Sequence, residues 1–93
     1  MTDLSPQAAA RYRRAAAFLI HWRAADKDLA VEGAMAVLNE VEREDGPDGT
    51  AMAGFTCALA EVAWQMAAAP DPEAAMEYLR RVAAKAAVDE VSA

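Results

Sequence analysis

This sequence predicts an all-α domain folded as a four-helix antiparallel bundle. Three observations carry that expectation. Larger apolar residues recur every three or four positions along four segments, the spacing of one helix face. Each segment is bounded by capping residues, prolines or glycines. Alanine supplies 26 of the 93 residues, and it is the residue that costs least to place in a helix. No window alternates apolar and polar residues with β-branched enrichment, so no strand is expected. The length fits one helical domain spanning 1–93. A chain of this size buries about 60–65% of its unfolded surface, and alanine adds little to that burial, so the core is modest.

The first helix is expected over about 6–25. Ser5 offers a capping hydroxyl, and Pro6 occupies the first helical position, where a missing N–H does no harm. At about 100° per residue, Tyr12, Ala15, Ala16, Phe18, Leu19, Ile20 and Trp22 share an arc. Arg13, Arg14 and His21 fall opposite, on an expected solvent face. After the polar turn "DKD" (26–28), Asp28 is the expected cap of a second helix over about 29–44, whose stripe is Val31, Met35, Leu38 and Val41. "EDGPDGT" (44–50) is the strongest break in the chain, with Asp48 or Thr50 as the cap of a third helix over about 50–69. Pro70 ends that helix. Asp71-Pro72 repeats the cap-and-proline signal and opens a fourth, about 72–89, with Met76, Leu79, Val82 and Ala86 inward. Glu77, Arg81 and Lys85 form its exposed charge ladder.

The third helix is apolar on two sides. Met52, Phe55, Leu59, Val62 and Met66 make one seam, while Ala53, Cys57, Ala60 and Trp64 line nearly the opposite side. Four short helices enclose one of their number with difficulty, so a second copy or a partner is expected to cover that surplus side. Phe18 or Trp22 is expected at the margin of the contact.

Two stretches, "GAMAVLNEV" (33–41) and "AAMEYLRRV" (74–82), each follow a tryptophan at nearly the same distance. Two accounts fit: a duplicated hairpin with pseudo-twofold symmetry, or the spacing that any two amphipathic alanine-rich helices share. Both predict two helical hairpins with a tryptophan near each closed end. The stretch "AWQMAAAPDPEAAMEYLRRV" resembles the second half of a tetratricopeptide-type hairpin, and "HWRAADKDLAVEGAMAVLNEV" is more distantly similar. Together they cover about half the chain. The usual glycine before the turn is absent, and turn and repeat lengths differ. The resemblance implies a helical protein-binding scaffold.

Composition narrows the function classes. Acidic residues outnumber basic ones fifteen to nine, for a net charge of −6, which disfavours binding by phosphate neutralisation. One cysteine excludes an intramolecular disulfide, and no segment approaches ~20 uncharged apolar residues, so a cytoplasmic protein without a membrane span is expected. The alanine excess suggests a GC-rich bacterial or phage genome.

The chemistry-bearing residues are few. His21, the single histidine, reads as a solvated side chain. Cys57 has no cationic neighbour in its segment to lower its pKa and reads as a small buried apolar filler. One of each cannot build the usual zinc site. The acidic run Glu40, Glu42, Glu44, Asp45, Asp48 lacks the alternation and closing glutamate of a calcium loop. No glycine precedes a Lys-Ser or Lys-Thr pair, so no phosphate loop is present. Neither Ser5 nor Ser92 offers the setting of an acyl-carrier serine. No catalytic residue, cofactor or metal is therefore expected.

These readings point to a small non-enzymatic protein–protein interaction module, self-associating through Phe18, Trp22, Ala53, Cys57, Ala60 and Trp64. The rival reading is a small bacterial or phage regulator, antitoxin-like or a modulator, acting on nucleic acid or on a nucleic-acid-binding partner. Its contact would be the basic cluster Arg11, Arg13 and Arg14, beside Arg23.

Overall fold

In a computed structural model, which describes residues 4–45 and 49–91, the chain folds into α1 (Pro6–Trp22), α2 (Lys27–Glu44), α3 (Thr50–Ala67) and α4 (Pro72–Val91). No strand occurs among the described residues. The Ser5 hydroxyl accepts from the Ala8 N–H at 3.2 Å, as its position before Pro6 predicts. Asp71 likewise accepts from the Ala74 N–H at 2.7 Å.

Two expected caps are corrected. Asp26, not Asp28, caps α2: its carboxylate accepts from the N–H groups of Asp28 and Leu29 at 2.9 and 3.2 Å. That capture starts α2 at Lys27 and stops α1 at Trp22, although Ala24 and Ala25 would extend a helix by propensity alone. Asp28 instead sits in the first turn, where its charge suits the helix dipole. At α3 the capping residue is Gly49, in the left-handed region at φ 68°, where a Cβ would be strained. It makes no side-chain cap. Asp45, from the far side of the turn, accepts from the Ala51 N–H at 3.0 Å. Thr50 is the first helical residue, and Asp48 lies outside the described residues. α3 ends two residues earlier than expected and α4 runs two further.

α1 is the hub of the bundle. It packs against all three other helices, whereas α2 and α4 share no contact among the described residues. Neighbouring residues of α1 therefore serve different cores. Ala15 joins Val37, Val41, Phe55 and Ala58, while Ala16 joins Val62, Leu79 and Val82. Leu4 donates its N–H to the buried Asp89 carboxylate at 3.0 Å, which ties the start of α1 to the end of α4. α1 and α3 run the same way: Arg11 lies across Gly54 in their N-terminal halves, and Leu19 and Met66 meet one core near their C-terminal ends.

Close approach to α1 rotates α2 relative to its expected stripe. Ala30, Ala34, Val37 and Val41 face inward, while Val31 and Met35 are exposed and Leu38 is half-buried. Ala9, Ala15 and Ala16 are fully buried on α1, and α2 sets its own small residues Ala30 and Ala34 inward against the bundle. In α4 the expected stripe holds, with Leu79, Val82 and Ala86 buried and Met76 half-buried. The two similar stretches thus place equivalent residues inward: Ala34 and Ala75, then Val41 and Val82.

Candidate interaction surface

α3 carries one charged residue, Glu61, in eighteen. Its inner seam is occupied as expected, with Phe55 and Val62 buried and Met52, Leu59 and Met66 half-buried. Ala53, Cys57, Ala60 and Trp64 all face outward, and Trp64 is 73% exposed, the barest tryptophan. Cys57 is thus exposed, not the buried filler that its isolation suggested. Ala53 and Cys57 border α1 across an open groove, and the line stays exposed along its length.

Phe18 and Trp22 lie elsewhere. Phe18 stacks on Trp22 with ring centroids 6.3 Å apart and meets Phe55 edge-on at 5.9 Å. Trp22, 59% exposed, lines a cavity at the α1–α2 turn together with Lys27, Ala30 and Val31. Ala53 and Cys57 instead line a groove between α1 and α3 with Leu4, Ala8, Arg11 and Tyr12. The structure therefore places the six residues on two surfaces. Angular position within each helix separates neither pair; the crossing of α1 over α3 does.

The basic cluster is also divided, and here the expected solvent face is corrected. Arg14 is only 5% exposed. Its guanidinium pairs with Glu40 at 3.1 Å and with Glu44. Arg13 binds Glu40 at 2.8 Å and Glu90 at 2.6 Å, so one side chain on α1 joins α2 to α4. Helices packed on several sides of α1 bury Arg14 and leave Arg13 about one-third exposed, and three glutamates of an acidic chain meet them. Arg11, like Arg23, has no ionic partner among the described residues; its side chain lies across Gly54, in space a Cβ would fill.

The Tyr12 hydroxyl donates to the Glu61 carboxylate, and that hydrogen bond, ahead of burial, pushes the phenol from 10 up to about 12. The folded value exceeds the unfolded one, so this contribution is complete below pH 10 and is lost as pH rises towards 12. Urea unfolding from pH 9 to 12 should accordingly show a steeper alkaline loss of stability in the wild type than in Tyr12→Phe. Identical alkaline limbs would show that the bond does not persist in solution.

His21 remains exposed, as expected, with its ring packed over Gly33. No group of three or more His, Cys, Asp or Glu among the described residues could hold a metal ion, and no described helix is long and apolar enough to cross a membrane. Comparison of the chain with protein-family models, curated protein sequences and solved structures finds no match.

Proposed function

We propose that this chain is a small non-enzymatic helical module that works by protein–protein contact, its first partner being a second copy of itself through the outer face of α3. The observation that carries this reading is Trp64, 73% exposed at the end of the uncharged line Ala53, Cys57 and Ala60. Large exposed aromatics flanked by small residues are characteristic anchors of helix contacts. The particle is also thin, 38 × 34 × 20 Å, and exposes 5960 Å2. A compact monomer of 9.9 kDa exposes about 5,200 Å2. The difference is comparable to the ~800 Å2 that one partner contributes to a standard interface.

Phosphate binding by the basic cluster is the weaker reading, because Arg13 and Arg14 are already held by glutamates. Sedimentation velocity across a micromolar concentration series tests the proposal. A concentration-dependent dimer is expected, and Trp64→Glu should weaken it by roughly 30-fold or more, the scale of a hot-spot residue, with little change in unfolding midpoint. A strict monomer at high micromolar concentration would overturn it.

A further inference from the structure

Resting on that reading of α3, we infer that two copies pair their α3 helices antiparallel about a twofold axis between residues 58 and 59, each inserting Trp64 into a groove of the other. The spacing of Ala53, Cys57, Ala60 and Trp64 is four, three, four, which reads the same from either end. That is the heptad spacing of a helix seam, and its symmetry lets two antiparallel copies bring all four positions into register. In this register Cys57 faces Ala60 of the second copy, and Ala53 faces its Trp64. Trp64 is large and exposed where Ala53 is small, so the pairing is self-complementary, as an isologous interface requires.

The receiving surface is more than a line of small residues. Beside Ala53 and Cys57 the groove between α1 and α3 has a volume of about 520 Å3, floored by Leu4, Ala8 and Gly54. An indole entering there meets chiefly apolar walls.

Charge favours the same register. A twofold axis perpendicular to two antiparallel helices keeps like flanks of the seam together. Arg11 and Glu61 both line the α1-facing flank of α3. Glu61 of the second copy then lies level with Thr56, about 3 Å along the axis from Gly54, over which Arg11, without an ionic partner among the described residues, extends. Two reciprocal Arg11–Glu61 contacts form at the rim. A parallel pairing brings unlike flanks of the seam together, so Arg11 and Glu61, which share one flank, would not meet across it.

Charge reversal tests this in trans. Arg11→Glu and Glu61→Arg each place like charges at both contacts, and each should dimerise about tenfold more weakly than the wild type. Mixed together they restore both contacts, so the heterodimer should exceed either variant homodimer by about tenfold or more in affinity. Sedimentation with one variant fluorescently labelled reads this, and circular dichroism verifies that each variant is folded. Should a reversal variant fail to fold, oxidative cross-linking of the wild type with the double variant Cys57→Ala/Ala60→Cys replaces it. A mixed disulfide formed in preference to either homodimeric one supports the register. A wild-type dimer without heterodimer preference, or with Cys57 cross-linked mainly to Cys57, overturns the register and leaves self-association standing. A monomeric wild type overturns both.

Discussion

Leu79→Ala is expected to destabilise the domain by about 3 kcal/mol, within the range for leucine truncation in a closed core. Leu79 is 0% exposed and packs with Ala16, Val62 and Val82 between α1, α3 and α4. Ala16 is too short to reach into the space left behind, and Val62 and Val82 have few rotamers with which to fill it. A domain of 93 residues holds about 5–14 kcal/mol in total. The loss would therefore lower the melting temperature by roughly 10–20 °C. Leu29→Ala is the comparison, because Leu29 is 61% exposed and truncating it should cost less than about 0.5 kcal/mol. Urea denaturation of both variants measures the difference. Equal effects would contradict the packing of α4 onto α1.

Glu40→Ala is expected to cost about 2 kcal/mol, whereas Arg14→Met should cost less than about 1 kcal/mol. The asymmetry follows from what each change leaves behind. Without Glu40, the buried Arg14 guanidinium keeps only Glu44, and Arg13 loses its link to α2. Stranding a buried charge is more costly than replacing it by an apolar side chain of similar length. Without Arg14, Glu40 retains Arg13, and Glu44 is already more than half exposed. The pH dependence follows the same geometry. The hydrogen bond from Arg13, helped by Arg14, holds the Glu40 carboxyl below its ordinary value of 4.5. The folded value is the lower one, so the contribution is present above pH 4.5 and disappears as pH falls through the depressed value. Wild-type stability should fall more steeply on acidification than that of Glu40→Gln. A costlier Arg14→Met than Glu40→Ala would show that the arginine stem, not its charge pairing, supports the contact between α1 and α2.

The outer line of α3 was legible before any coordinates. Ala53, Cys57, Ala60 and Trp64 follow helical spacing, and only the near absence of charge in that segment was needed to read them as surplus apolar surface. The groove that adjoins them was not. It arises where α1 crosses α3, and its one sequence signal is a mid-helix glycine, Gly54, over which Arg11 lies. Phe18 and Trp22 looked contiguous with that line because both sets are apolar. An edge-on contact with Phe55 and an opening onto Val31 put them on another surface.

The sequence by itself determined four helices, their inner seams in α3 and α4, and caps at Ser5 and Asp71, because periodicity and capping are local properties carried by neighbouring residues. Only the tertiary structure decided that α1 would be central. A wheel drawn for one helix assumes one buried side, and Arg13 and Arg14 then fall towards water. With α2, α3 and α4 all packed on α1, no residue from 8 to 19 is left exposed, and those arginines become the ties between helices. The same crowding selects Ala30 and Ala34 over Val31 and Met35, since the distance between helix axes is set by both partners together.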